Sequence, residues 1–323
     1  MQIDAREEVW ALRQTFRISR GSRTEARVAV VTLTDGDLVG RGECVPIRRY
    51  EQTIESVLAQ VDGIKNTSLD RQSLQKLLPP GAARNAVDCA LWDLEAKRAG
   101  KRVWELANIP AAAQVETAFT ISLDAPGQMG AAAKVAAHLP VLKLKLGGDD
   151  VDLARVEAVR AAAPNARLLV DANESWSPEH YRDMAPALKQ LRVALIEQPF
   201  PADRDDVLET LEHPVPVCAD ESCHTSAHLP RLKHRYEMIN VKLDKTGGLS
   251  EALNLCARAR ESGFTILVGC MVGTSLGMAP ARVLASTADY VDLDGPLLLA
   301  RDREHGLNYK NGRVALPSVE LWG

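Results

Sequence analysis

The sequence predicts a (β/α)₈ barrel preceded by a small α+β unit, and three observations carry that prediction. From about Val115 onward, short apolar runs alternate with helix-compatible stretches, the pattern of parallel strands joined by crossover helices. Eight such runs are present, the number that closes a barrel: Val115 to Ile121, Val141 to Leu146, Leu168 to Val170, Val193 to Ile196, Val215 to Cys218, Met238 to Leu243, Thr265 to Val268 and Tyr290 to Leu293. Polar or special residues recur where the runs stop, at Thr120, Lys145, Asp171, Glu197, Asp220, Lys245, Cys270 and Asp292, spaced 22 to 26 residues apart. One strand, one helix and two short loops fill such a period.

The first hundred residues read differently. Ala26 to Leu33 is a β-rich run, Asp35-Gly36 is a hairpin signal, and Leu38 to Cys44 returns as the partner strand. Thr53 to Ile64 places Ile54, Val57, Leu58 and Val61 on one helical face. Ala82 to Ala99 is a longer helix that stops at Gly100, a C-cap. A doubly wound open sheet, the rival for the remainder, requires a Gly-rich phosphate loop, and neither G-x-G-x-x-G nor a P-loop occurs.

Composition narrows the function. A net charge of −4 over 323 residues leaves no basic face for nucleic acid or an anionic membrane. The runs Arg48-Arg49 and Arg231 to Arg235 read as solvated faces. No apolar run reaches the ~20 residues that span a bilayer. The mixed-charge start MQIDAREEVW lacks a signal-peptide core, so a cytoplasmic protein is expected. The six cysteines form no C-x-x-C pair and read as small buried hydrophobes.

Active sites of such barrels lie at the C-terminal strand ends. Asp171, Glu197 and Asp220 would end strands three, four and five, about 4.8 Å apart from strand to strand. One strand-end acid is usually an N-cap. Three on consecutive strands repel one another and are costly to desolvate unless a hard divalent cation joins them, and an all-oxygen set favours Mg²⁺ or Mn²⁺ over zinc. Lys143 and Lys145 form a K-x-K on strand two, so both face the barrel mouth. Lys245, with Lys242 three residues before it, would end strand six, diametrically opposite. A lysine near a cation or a second lysine loses proton affinity and can serve as a base; the plainer reading is that these lysines balance the acids' charge. Asp292 and Asp294 form a second same-face pair, suited to a substrate ammonium or to capping a helix. His224 and His228 lack the H-E-x-x-H frame, the pairs Gly147-Gly148 and Gly247-Gly248 read as loop turns, and no G-x-S-x-G elbow occurs.

The order K-x-K, Asp, Glu, Asp, Lys on successive strands resembles the enolase superfamily, in its muconate-lactonising branch. GAARNAVDCALWDLEAKRAGK extends the likeness into the N-terminal region, so that it covers nearly the whole chain. VDANESW, ADESCHT, VKLDKTGG and DLDGP are similar to dipeptide epimerases, specifically the L-Ala-D/L-Glu epimerases. The resemblance implies a modified, enolase-like barrel over 113–300 and a capping domain over 1–112, completed by the tail 301–323. It implies Mg²⁺, with Mn²⁺ as a substitute, on Asp171, Glu197 and Asp220, and Lys145 and Lys245 as the acid/base pair. Lys143 would contact the substrate carboxylate, and Asp292 and Asp294 would hold a dipeptide's α-ammonium. Thr120 and the backbone around Cys270 and Val272 would line the pocket. The loop Ser19 to Glu25 would close over it, with Arg20 or Arg23 gripping a distal glutamate carboxylate. The implied reaction inverts the α-carbon of the C-terminal residue by 1,1-proton transfer through an enediolate, in murein peptide metabolism. A dipeptide is the expected partner, and a homo-oligomer is compatible with the sequence. A cycloisomerase or an o-succinylbenzoate synthase is the rival within the fold, opposed by the charges of Asp292 and Asp294. A barrel kept only for binding is the rival outside catalysis.

Overall fold

The computed structural model describes all 323 residues. It opens with an antiparallel sheet in the order β1 (Gln2–Ile18), β2 (Gly21–Asp35), β3 (Leu38–Cys44). The hairpin at Asp35-Gly36 is as expected, with Gly36 at φ 59°. The 17-residue β1 was not legible: its faces are largely solvent-exposed and rich in Arg and Glu, so the apolar alternation that marks a strand is weak. The expected loop Ser19 to Glu25 is corrected to a hairpin end. Only Ser19 and Arg20 form the turn, and Gly21 to Glu25 pair back onto β1.

Helices α1 (Ile54–Asp62), α2 (Arg71–Leu77) and α3 (Ala82–Ala99) cover one face of this sheet. Thr53 caps α1 reciprocally with Ser56, and Asp70 caps α2 with Ser73. α3 ends at Gly100 in the left-handed conformation. It lies directly on β3: a Cβ on Gly42 would fall 2.0 Å from the Ala86 carbonyl oxygen, and one on Gly40 2.2 Å from that of Ala90.

β4 (Gln114–Glu116) separates from the run expected as the first barrel strand and pairs with the tail strands β13 (Tyr309–Lys310) and β14 (Arg313–Ala315). The barrel consists of β5 (Phe119–Ile121), β6 (Val141–Lys145), β7 (Arg167–Asp171), β8 (Val193–Glu197), β9 (Val217–Ala219), β10 (Met238–Val241), β11 (Thr265–Gly269) and β12 (Tyr290–Asp292). All eight are parallel, in sequential order, and the Ala118 amide closes the ring by donating to the Val291 carbonyl at 2.8 Å. Two crossovers lack a full helix. Only a 3₁₀ turn (Asp205–Thr210) follows β8, where Pro199, Pro201, Pro214 and Pro216 interrupt the segment, and a four-residue helix (Leu229–Leu232) follows β9.

Alternation along the strands produces two layers inside the barrel. Ala118, Val141, Leu169, Leu195, Cys218, Met238 and Leu267 pack as an apolar floor. Two residues further along each strand stand Thr120, Lys143, Asp171, Glu197, Asp220, Asn240 and Gly269. The intervening residues, such as Leu142, Val170, Ile196 and Ile239, point outward into the main core beneath the helices. The close approach of β3 to α3 has a measurable consequence. Gly42→Ala is expected to force the two backbones apart at a cost of about 1–3 kcal/mol, read as a lower thermal midpoint. A melt identical to that of the parent would show that the contact yields without strain.

Candidate active site

The polar layer concentrates charge where water is excluded. Asp171 and Glu197 are the last residues of β7 and β8, and Asp220 follows β9 directly. All three are buried, and each offers a carboxylate oxygen within 4.8 Å of the others. Lys143 reaches across this floor, with Nζ 2.7 Å from Glu197 Oε2, 3.3 Å from Asp171 Oδ2 and 2.8 Å from Asp292 Oδ2. Lys145, two residues on, lies 2.5 Å from Asp171 Oδ2. From the opposite wall, Lys242 Nζ is 2.6 Å from Asp220 Oδ2 and 3.8 Å from Glu197 Oε1. Asn240 donates to Glu197 Oε1 at 2.8 Å.

This geometry corrects the strand-end position expected for Lys245. β10 stops at Val241 and the chain turns into a helical segment, Leu243–Thr246. The inward positions of β10 are Met238 and Asn240. Lys242 keeps extended dihedrals (φ −119°, ψ 128°) and continues that face. Lys245 is out of phase. Its ammonium is fully buried, donates to the backbone carbonyls of Asp220 and Asn240, and lies 2.6 Å from Asp220 Oδ1. Two of its three protons therefore go to backbone carbonyls, and the ammonium also pairs by charge with Asp220. The inward position of Lys242 was legible in the sequence, since counting by two from Met238 reaches it.

Electrostatics follow from burial and these pairs. Burial alone would raise the carboxyls of Asp171 and Asp220. The lysines outweigh it, chiefly Lys145 and Lys143 at Asp171 and Lys242 and Lys245 at Asp220, and both are held below the usual carboxylate range. Glu197 moves up, through burial and the neighbouring Asp171. Burial pulls the Lys143 and Lys242 ammoniums down, but Asp292 and Glu197 at the first and Asp220 and Glu197 at the second hold both well above the ordinary lysine value.

Glu197 Oε2, Asp220 Oδ1, Asn173 Oδ1, Asn240 Oδ1, Glu221 Oε2 and Asp292 Oδ1 are buried yet accept no hydrogen bond, although lysine ammoniums lie 2.7 and 2.6 Å from the first two. Six such atoms in one mouth indicate a place for a ligand, since buried polar groups are almost always paired. Three carboxylates, two of them (Glu197 and Asp220) with an oxygen that accepts no hydrogen bond, and no nitrogen or sulfur donor among them fit a hard cation.

Asp292 ends β12, and Asp294 directly precedes the short helix Gly295–Leu298. Both are buried. Asp294 Oδ2 accepts from the Thr120 amide at 2.6 Å, which accounts for the position of Thr120. Burial, with Asp292 beside it, pushes the Asp294 carboxyl up to about 7. Cys270 lies one residue beyond β11, whose inward terminal residue is Gly269. Val272 packs with Leu12, Ala26 and Leu299 where the N-terminal sheet meets the barrel.

The hairpin end leans over the mouth. Arg20 donates to the Asn173 carbonyl at 2.8 Å, to Glu174 at 3.1 Å and to Glu221 at 2.6 Å, and Arg49 binds Glu174 through two hydrogen bonds of 2.9 Å. Arg23 forms no ion pair. With Arg20, Arg27, Arg48 and Arg49 it lines a cleft of about 670 Å³ in which Glu25 is the one acidic lining residue, although Arg20, Arg27 and Arg49 are paired with carboxylates beside it. Tyr50 stacks edge-on against His224 at 4.5 Å between the two parts of the chain.

Residues 1–107 match the mandelate racemase/muconate lactonizing enzyme N-terminal domain, and residues 128–320 match the enolase C-terminal domain-like family. The chain is 46% identical to an L-Ala-D/L-Glu epimerase of Escherichia coli (strain K12), over 96% of this chain and 98% of that one. It is 44% identical to an N-acetyl-D-glutamate racemase of a Pseudoalteromonas species, over 91% and 94%. A crystal structure of an enolase family member from Agrobacterium tumefaciens, described as having homology to dipeptide epimerases and holding sodium and L-Ala-L-Glu, superposes with a TM-score of 0.97 at 50% identity over 99% of both chains. The layered barrel, the strand-end acids and both matched domains lead to one conclusion: this chain is a member of the enolase superfamily, in the mandelate racemase/muconate lactonizing enzyme family.

Proposed function

We propose that this chain is a dipeptide epimerase with L-Ala-D/L-Glu epimerase activity, inverting the α-carbon of the C-terminal residue. The observation that carries this reading is the pairing of a lysine-flanked acid triad with a buried Asp292–Asp294 site, joined through Lys143. The division into a cap, 1–112 with 301–323, and a barrel, 113–300, belongs to the same proposal. Arg303, donating to Glu8 at 2.6 Å and to Glu43 at 2.8 Å, supports the tail's part in the cap, whereas β13 and β14 lie against β4.

Asp171, Glu197 and Asp220 would hold Mg²⁺, or Mn²⁺ in its place. When bound, the cation supplies positive charge that takes the carboxylates from the lysine ammoniums, lowers the lysines' proton affinity and offsets the charge of the substrate carboxylate. Lys145 and Lys242 approach from opposed strands. The neutral amine of one removes the α-proton, and the ammonium of the other delivers a proton to the opposite face, so the configuration inverts and the two lysines exchange protonation states. Lys143 sets a fixed positive charge beside the carboxylate oxygens where negative charge develops. Asp292 and Asp294 would accept the α-ammonium, with Thr120 fixing Asp294. Cys270 and Val272 contribute backbone at the rim. Arg23, which forms no ion pair in the cleft, would take the glutamate side-chain carboxylate. Lys245 serves in this reading to hold the Asp220 backbone in place.

A second reading, racemisation of an N-acylated amino acid, has support in the N-acetyl-D-glutamate racemase relative and in the existing bonds of Asp292 to Lys143 and of Asp294 to Thr120. The substrate's amine separates the two. Free L-Ala-D-Glu is expected to turn over, N-acetylation should suppress it, and Asp292→Asn should weaken use of the free dipeptide by about 2–5 kcal/mol in kcat/KM. Equal turnover of acetylated and free substrates would favour the second reading.

Chelation should abolish turnover and Mg²⁺ or Mn²⁺ should restore it. Glu197→Gln should bind the metal more weakly by calorimetry and resist rescue. Full activity in metal-free protein would remove the basis for the triad's role.

The two-base arrangement is tested by NMR in deuterated water, starting from L-Ala-L-Glu and L-Ala-D-Glu separately. Lys145→Ala should lose epimerisation yet keep α-proton exchange for one epimer, and Lys242→Ala should keep it for the other. Lys245→Ala should depress both exchanges together. If Lys245→Ala shows the one-sided pattern and Lys242→Ala does not, Lys245 is the second base.

A further inference from the structure

The segment that carries Lys242 is held from outside the barrel. Asp244 is buried two residues beyond it, in the helical turn Leu243–Thr246. Its Oδ1 accepts from the Val45 amide at 2.9 Å and from Asn85 Nδ2 at 2.9 Å. Both donors belong to the N-terminal unit, Val45 just after β3 and Asn85 in α3. Other residues of α3 continue the grip. Arg84 donates to the carbonyls of Thr246, at 2.7 Å, and Gly247, at 3.2 Å. Asp88 accepts from the Ser250 amide at 2.9 Å, and Trp92 Nε1 donates to Ser250 Oγ at 3.0 Å. The approach leaves no room for side chains: a Cβ on Gly247 would fall 2.4 Å from Arg84 Nε, and one on Gly248 2.4 Å from Asp88 Cβ. Both glycines have positive φ, 78° and 112°.

The opposite lysine has no such tie. The loop after Lys145 is held by the barrel itself, with Gly147 and Gly148 donating to Asp152 at 2.9 and 2.8 Å, and Asp152 paired with Arg155 at 2.6 Å. The two proposed bases therefore rest on different parts of the chain.

We propose that Asp244 is a positioning residue, through which the docked N-terminal unit fixes Lys242 and so controls one stereochemical face of proton transfer, leaving the Lys145 face independent. The inference rests on the two-base reading above. Without Asp244, the Val45 amide and Asn85 lose their acceptor and the turn is free to move, which displaces the Lys242 ammonium from its place over Asp220. A displacement of about 1 Å at a reacting group costs up to about a hundredfold in rate.

The experiment measures deuterium exchange of each epimer of Ala-Glu by the full-length, Mg²⁺-loaded protein. The Lys242 face is defined as the epimer whose exchange Lys242→Ala abolishes. Asp244→Ala and Asn85→Ala should slow exchange of that epimer by about tenfold or more relative to the other. Asp244→Asn, which keeps an acceptor oxygen, should restore the parental ratio. Should Asp244→Ala fail to fold, Asn85→Ala, which removes one donor and leaves the Val45 bond, carries the test. A parallel fall in both exchanges, or an unchanged ratio in every variant, overturns the positioning role. Absence of exchange of either epimer by the parent protein overturns the two-base reading itself, a different result from a lost ratio.

Discussion

Charge balance inside the barrel mouth is the constraint on which the rest of the structure depends. Asp171, Glu197, Asp220, Asp292 and Asp294 are buried there, and the ammoniums set among them are those of Lys143, Lys145, Lys242 and Lys245. Five carboxylates against four ammoniums leave the cluster short of positive charge, and Asp294 and Glu197 are displaced upward chiefly by burial, with the neighbouring Asp292 and Asp171 adding to it. Burying such a set costs several kcal/mol per ion before pairing. No single member can be removed without leaving a partner uncompensated. The arrangement is stable enough to fold and remains unsatisfied at particular oxygens, and those oxygens are where a cation and an ammonium would act.

The barrel makes that density of charge tolerable by layering it. An apolar floor from seven strands seals the lower end, and the charged layer begins two residues higher on each strand. Much of this was legible. The period of 22 to 26 residues located the strand ends, and the acids of β7, β8 and β9 fell on adjacent strands as the spacing required. The strand-end position expected for Lys245 does not hold because the apolar run continues through Leu243, whereas the backbone leaves the sheet after Val241. Asn240 was passed over because an amide at mid-strand looks unremarkable until its inward parity is counted. β1 stayed hidden for the opposite reason: an edge strand with mostly exposed faces carries little apolar signal.

The N-terminal unit is joined to the barrel through polar contacts as well as apolar packing. Glu43 is fully buried and bonds Thr274 and Arg303, Arg303 also reaches Glu8, and Arg20 and Arg49 bind Glu174 over the mouth. Burial raises the Glu43 carboxyl despite these partners. Such contacts are directional and lose their value when misaligned. They specify one docking geometry more sharply than an apolar seam of equal area. A reaction that distinguishes two faces of one carbon needs that kind of specification.

Lys143 links the two halves of the proposed substrate site. Its single ammonium touches Asp171 and Glu197 on one side and Asp292 on the other, so charge arriving at either end is felt at both. An ammonium entering beside Asp292 Oδ1, which has no hydrogen bond, would compete with Lys143 for that carboxylate. A lysine released from Asp292 leans toward the acids and the substrate carboxylate they would face. The binding of a substrate's amino end would thereby strengthen positive charge at its carboxyl end, where the α-proton becomes acidic. Under the proposed reading, selection for a free amine and activation of the α-carbon would then arise from one side chain, and a substrate with a blocked amine would forfeit the second effect along with the first.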